Sequence, residues 1–334
     1  MQVGTLNQVS AIRVSAEECR VSAEQYSVEA VSAHWGGWNA VGLLAEARLF
    51  QLLLARPSSQ SPEVRPAHVL KIPRAEKASE PLPNLLLKRE AEVARSVTNP
   101  RILSVLDAQL VRLPFFLVLP LLEGISLKQM LGAHSIALAQ ALWIARQVVE
   151  GLIALEKAGW NHGDLKPSNI HISPRGHVTL LDLGFARRSD EADRQEDYLL
   201  MGTPLYMAPE LFTSSRGGDI RSDLYSLGVI LFEMVARQPP IIGTSPQELY
   251  KRKLEDSPPQ LRNFCPEVPP QLDRLVRELL AKNPLRRPPT AQEVAERLID
   301  LEVKLIGRQF GTSTQISPDI EGEWKENQEW KENQ

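Results

Sequence analysis

Within eight residues, His162-Gly163-Asp164-Leu165-Lys166-Pro167-Ser168-Asn169, the chain carries an acid, a lysine two positions on and an asparagine three beyond that. Asp182-Leu183-Gly184 follows after a short hairpin. Asp164 can accept the proton of an attacking hydroxyl, and Lys166 can neutralise charge on a transferred phosphate. Asn169 and Asp182 offer oxygen ligands, the type that magnesium prefers. Taken singly, each is an ordinary polar residue of a loop between helices. At this spacing they make a set for moving a phosphoryl group.

Such a set needs elements to hold it. Upstream of the loop, Leu138 to Ala158 has the apolar periodicity of a long buried helix. Downstream, Ile170-His171-Ile172 and Val178-Thr179-Leu180-Leu181 flank Pro174-Arg175-Gly176 as a hairpin with a glycine turn. Earlier in the chain the pattern reads strand, glycine turn, strand: Ser27 to Val31 alternates, Gly36-Gly37 turns, and Val41 to Arg48 follows. Residues 56–66 carry the Pro/Ser signature of a surface loop, His68-Val69-Leu70-Lys71-Ile72 a short strand, and Leu85 to Val97 an amphipathic helix.

Composition narrows the class. A chain of 334 residues has room for one large two-lobed domain or two medium ones. A net charge of −3 supplies no general attraction to nucleic acid or anionic membrane, so neither is expected as a partner. Cys19 and Cys265 are far apart and lack C-x-x-C spacing, which indicates neither a disulfide framework nor a zinc site and fits a reducing, cytoplasmic setting. The most apolar run, Leu113 to Leu122, is broken by Pro114 and Pro120 and is shorter than the roughly 20 residues that span a bilayer. No export leader opens the chain, so no membrane span or secretion is expected.

These motifs resemble those of the eukaryotic-like serine/threonine protein kinases found widely in bacteria. That family's catalytic loop reads H-R-D-x-K-x-x-N and its metal-binding triplet D-F-G; here Gly163 replaces the arginine, and Leu183 keeps an apolar plug in the triplet. Gly202-Thr203-Pro204-Leu205-Tyr206-Met207-Ala208-Pro209-Glu210 is similar to G-T-P-x-Y-M-A-P-E, the segment that shapes the groove for the substrate hydroxyl. The resemblance implies that Glu210 pairs with Arg287, and that Asp223 caps the central helix of the lower lobe and tethers the catalytic loop. Thr290 and Glu293 read as a capping box for the last helix.

The resemblance covers about residues 26–305. It implies an α+β, bilobal protein-kinase-like fold with a small β-rich N-lobe (26–119), a hinge (120–124) and a larger helical C-lobe (125–305). Mg2+ and ATP are the implied cofactors. Laid against G-x-G-x-x-G-x-V, residues 34–41 match at Gly36 and Val41, with His34 and Asn39 where the outer glycines stand. A phosphate-covering loop is therefore expected at Gly36, Gly37 and Val41. Lys71 is similar to the V-A-I-K lysine that binds the α- and β-phosphates, and Glu90, ten residues before Pro100, is its implied partner, with Glu92 the competing choice. Phe115 to Gly124 matches the strand and hinge, which puts Leu119 at the back of the adenine pocket. Pro120 has no N–H, so its C=O and the N–H of Leu122 are the expected adenine contacts.

Asp182 to Glu210 corresponds to the family's activation segment, with hydroxyls only at Ser189, Tyr198, Thr203 and Tyr206, and acids at Asp190, Glu191, Asp193, Glu196 and Asp197. Gly163 removes the arginine that clamps a phosphorylated segment in relatives, so switching by phosphorylation there is not expected. Lys166 favours Ser/Thr over Tyr. The expected function is ATP-dependent transfer to Ser/Thr hydroxyls of protein substrates, in signalling. The alternative is a catalytically weak or inactive kinase-fold scaffold, motivated by His34, Asn39, Pro120 and Gly163; a small-molecule phosphotransferase shares the H-G-D…N loop. Residues 1–25, with a seven-residue repeat from Val14, and the polar tail 306–334, with a duplicated hexapeptide expected to be disordered, have no assigned role.

Overall fold

The computed structural model describes residues 33–188, 204–213 and 218–311. The upper lobe is a six-stranded antiparallel sheet with the order β1-β2-β3-β4-β6-β5: β1 Ala33–Trp35, β2 Trp38–Glu46, β3 Phe50–Pro57, β4 His68–Pro73, β5 Asp107–Gln109 and β6 Phe116–Pro120. Helix α1, Pro81–Ser96, opens on a proline, whose missing N–H is no loss at a helix start. Strand alternation sends side chains to two faces. On one face Val69, Leu117 and Leu119 pack with Leu86, Leu87 and Ala91 of α1. On the other, Leu70, Ile72, Phe116 and Val118 pack with Ala40, Leu53 and Ala55 and are covered by Trp35 and Trp38.

The lower lobe is built around two helices. In α3, Leu138–Lys157, Ala141, Leu142, Ala145, Val148, Val149 and Leu152 recur at helical spacing and are buried. This helix is long and apolar enough to cross a bilayer by length and composition, but its apolar residues belong to the lobe's core. Helix α5, Ile220–Ala236, is buried nearly all round, as expected of a central helix. Around them lie α2 Leu127–Ala133, α4 Glu210–Thr213, α6 Pro246–Glu255, α7 Pro270–Leu279 and α8 Ala291–Gly311. Two small sheets frame the loop from His162 to Asn169: β7 Ile125–Ser126, β9 Ile170–Ile172 and β10 Val178–Leu180 form one, β8 Trp160–Asn161 and β11 Arg187–Arg188 the other.

Four expectations are corrected here: the number of strands, the cap of α5, the end of α8 and the box at its start. The strand expected at residues 27–31 lies outside the described residues, as do the heptad and hexapeptide repeats and the activation-segment residues 189–203. The described hairpin is β1-β2, turning at Gly36-Gly37, and a further strand, β3, occupies residues where none was expected. The run Leu49 to Ala55 shows little alternation because β3 buries side chains on both faces, so it carries no period-two strand pattern. Helix α5 is capped by Asp219, which accepts from the Arg221 N–H; Asp223 sits one turn inside. Finally, α8 runs past the expected end at residue 305. Its start keeps half of the expected box: Glu293 N–H donates to Thr290 Oγ1 at 3.3 Å, while the Glu293 carboxylate lies 3.7 Å from Arg297.

Candidate active site

Lys71 stands in the middle of β4, on the α1 side of the sheet. Its ammonium donates to Glu90 Oε2 of α1 at 2.6 Å and to Asp182 Oδ1 at 2.7 Å. Glu90 is buried, whereas the competing Glu92 is half exposed beside Arg89. Burial opposes charge on Lys71, but the Asp182 and Glu90 carboxylates outweigh it and hold the amine protonated. Burial raises the Glu90 pKa against the pull of Lys71. For Asp182 the balance falls the other way: burial opposes ionisation, but the charge and hydrogen bond of Lys71 together with the charge of Lys166 hold the carboxyl ionised.

Asp182 adopts a left-handed backbone, φ 60 and ψ 70, unusual for a residue with a side chain and worth roughly 1–3 kcal/mol of strain. Leu183 beside it is buried in the lower-lobe core, filling the plug position. The loop from His162 to Asn169 lies below. Lys166 Nζ donates to Asp164 Oδ2 at 2.5 Å, and Asn169 Nδ2 donates to Asp164 O at 2.9 Å and to Oδ2 at 3.2 Å. Burial pushes the Asp164 carboxyl up to about 6, against the opposing charge of Lys166. His162 is fully buried, which lowers its pKa to about 4 and keeps it neutral.

Asp223 fixes this loop from below, accepting the His162 N–H at 2.6 Å and the Gly163 N–H at 3.0 Å. Gly163 has φ +78, and a Cβ there would meet Phe185 O at 2.2 Å. The backbone itself demands glycine here, so no arginine fits without a local rearrangement. Further out, Arg287 forms a two-pronged pair with Glu210, both contacts at 2.7 Å, and Ser226 Oγ donates to Tyr206 O at 2.8 Å. Lys253 of α6 is 1 % exposed and donates to Leu205 O at 2.7 Å and Met207 O at 2.6 Å. Pro204 to Glu210 is thus anchored from three sides.

The donor set suits a hard cation that shares its ligands with phosphates. Asn169 uses its amide nitrogen on Asp164, which leaves the oxygen end as the possible ligand, and the Asp182 side chain is one third exposed. Among the described residues no group of three or more His, Cys, Asp or Glu side chains is placed to hold a metal. Magnesium commonly takes only one or two protein oxygens when phosphates and water supply the rest.

The structure brings Lys71, Glu90, Asp164, Lys166, Asn169 and Asp182 to one cleft. Leu119 lies in the α1-side cluster at its back, Pro120 ends β6, and Leu122 follows in the irregular connection, where Leu121 N–H donates to Ala67 O at 2.9 Å. It does not bring Gly36, Gly37 or Val41 there. Gly36 lies against Phe116, 3.3 Å from where its Cβ would be, on the sheet face away from Lys71, and Val41 is the extra residue of a bulge in β2. The hairpin on the Lys71 side is β2-β3, whose turn Ala47-Arg48-Leu49 has no glycine. Gly36-Gly37 turns a hairpin, as the pattern suggested, but one added in front of the expected pair.

The profile of the family described as protein kinase domain matches residues 66–299. The chain belongs to the protein kinase family. Among curated proteins it is similar to bacterial enzymes of this kind: 30 % identical over 219 residues to a probable serine/threonine-protein kinase, pknA2, of Bifidobacterium longum, covering 65 % of this chain and 29 % of that one. It is 34 % identical over 240 residues to the serine/threonine-protein kinase PknB of Mycolicibacterium smegmatis, covering 69 % and 38 %. To PknD of Mycobacterium tuberculosis it is 33 % identical over 213 residues, covering 63 % and 32 %. The matched part spans about a third of the length of these relatives. The α+β kinase fold agrees with the sequence reading, and these relatives are of the bacterial serine/threonine type that the sequence resembles.

Sequence reasoning missed three residues that bear on the site. Lys253 gave no motif; its signal was a lysine at an apolar-facing position of a helix, which pattern alone does not separate from a surface charge. Leu49 and Phe50 sat in the unassigned run before Lys71, and the run's apolar continuity was the signal available.

Proposed function

We propose that this kinase-family chain transfers the γ-phosphate of ATP to Ser or Thr hydroxyls of protein substrates in bacterial signalling, in a reducing, cytoplasmic setting. The observation that carries the reading is the joining of Lys71 to both Glu90 and Asp182, at 2.6 and 2.7 Å, directly above the Asp164-Lys166-Asn169 loop. Lys71 would hold the α- and β-phosphates, and Glu90 keeps it aimed. Asp164 orients the hydroxyl and takes its proton as the new O–P bond forms and the bond to the leaving ADP breaks. Lys166 neutralises charge on the moving phosphoryl group. Asn169 and Asp182 would hold magnesium, which when bound neutralises the phosphates.

Protein substrates are favoured over small molecules by the anchored segment Pro204 to Glu210, which a small-molecule site would not need. A scaffold role is the second reading, favoured by the glycine-free β2-β3 turn. A transfer assay with γ-labelled ATP and an unstructured Ser/Thr-containing polypeptide separates them. Mg-dependent labelling that disappears in Asp164→Asn supports the kinase. Labelling equal to that without protein, alongside a normally folded chain, supports the scaffold.

A further inference from the structure

Strand register puts Leu52 opposite Lys71 and Phe50 opposite Pro73, so Phe50, two residues from Leu52, shares the face on which Lys71 stands. The Phe50 ring lies over the ammonium, 4.7 Å from Nζ to the ring centroid. Both Leu49 and Phe50 are more than nine-tenths buried, packed with Leu86, Leu87 and Leu117. An ammonium has three N–H donors. Two meet carboxylates and the ring face covers the ammonium as well. The turn behind is closed by Ala47 N–H to Phe50 O at 2.8 Å and tied to the neighbouring strand by Arg74 N–H to Leu49 O at 2.9 Å.

We infer that Phe50 is an internal competitor for the phosphate position on Lys71: nucleotide enters only when the β2-β3 hairpin lifts the ring away, and the bulk of residue 50 sets the affinity for Mg-ATP. This rests on the reading of Lys71 as the phosphate-binding lysine. An apolar ring cannot accept a bond from the ammonium as a phosphate oxygen does, and the two cannot occupy the same side of it. A protein whose competent state is only a fraction of the population binds with its intrinsic affinity reduced by that fraction.

The test is titration of the full chain with Mg2+ and a fluorescent N-methylanthraniloyl-ATP, with unlabelled Mg-ATP as competitor, on wild type, Phe50→Ser, Phe50→Leu and the double variant Phe50→Ser with Lys71→Met. The expected order of affinity is Phe50→Ser, then Phe50→Leu, then wild type, with about tenfold between the ends. In the double variant the gain is lost. Where Phe50→Ser does not fold, Phe50→Leu, which refills the cluster but removes the ring face, carries the test with a gain of about threefold. Wild type binding as tightly as the folded variants overturns the inference and leaves the nucleotide reading standing. No binding by any folded variant at several millimolar, on the order of the weakest useful affinities, overturns both.

Discussion

The floor and the roof of the cleft differ in kind. On the floor, Asp164, Lys166, Asn169 and Asp182 lie within hydrogen-bonding reach of one another or of Lys71, and Asp223 fixes the loop backbone. In the roof, the turn of the hairpin over Lys71 has no glycine, and its second strand turns a phenylalanine downward. Groups that hold and move charge must keep set distances to each other, so their identities are constrained. A cover needs only shape, which many residues can supply and which can also be closed. On the function proposed above, the floor carries the transfer chemistry and the roof restricts entry to it.

The largest effect should come from the floor. Asp164→Asn should lower the transfer rate by about 10²–10⁴-fold while leaving the thermal shift produced by Mg-ATP in place. A lost shift would mean that floor and roof are not separable. Next is the support of the floor: Arg287→Ala removes the two-pronged ion pair from Glu210, which keeps its Ser222 hydroxyl contact, and should cost about 3–5 kcal/mol in denaturant unfolding. Gly163→Arg should likewise destabilise, because the Cβ meets Phe185 O, and should not make the protein responsive to phosphorylation. Recovered stability with gained phosphate dependence would contradict the account of that backbone.

Lys253→Met should cost roughly 1–3 kcal/mol, from two carbonyls left without a donor, and should raise KM for a peptide substrate without changing KM for ATP. Its pH dependence has a definite sign. Burial lowers the Lys253 pKa to about 7 from the ordinary 10.5, so between these values the unfolded chain holds a proton that the folded chain has shed. Wild-type stability relative to Lys253→Met should therefore be flat below pH 7 and rise from there toward pH 10.5. A falling difference would contradict this. The smallest effects belong to the outer hairpin. Gly36→Ala, at φ +60, should cost about 1 kcal/mol and Gly37→Ala, with open space around it, close to nothing, and neither should alter Mg-ATP affinity.

The same contrast explains what could be read in advance. The residues from His162 to Asn169 are local in sequence and carry chemistry in their types, so the floor was legible from spacing alone. Lys71 and Glu90 came from register against the family, since nothing local ties a strand lysine to a helix glutamate. The roof was misplaced because two glycines are the usual mark of a tight turn, and β1-β2 has one. The hairpin that covers Lys71 lacks that mark, and β3 hid in an apolar run buried on both faces. Asp219 rather than Asp223 caps α5 because the helix starts at Ile220, which puts Asp223 one turn inside, where its carboxylate accepts two loop amides at 2.6 and 3.0 Å.

Mass spectrometry of the purified chain after incubation with Mg-ATP tests the central claim most directly, run beside Asp164→Asn and Lys71→Met. Phosphoserine or phosphothreonine on the wild type, absent from both variants, is the predicted result. An unmodified wild type, or equal modification in all three, would contradict the convergence of Lys71, Asp164 and Asp182 on one transferring site.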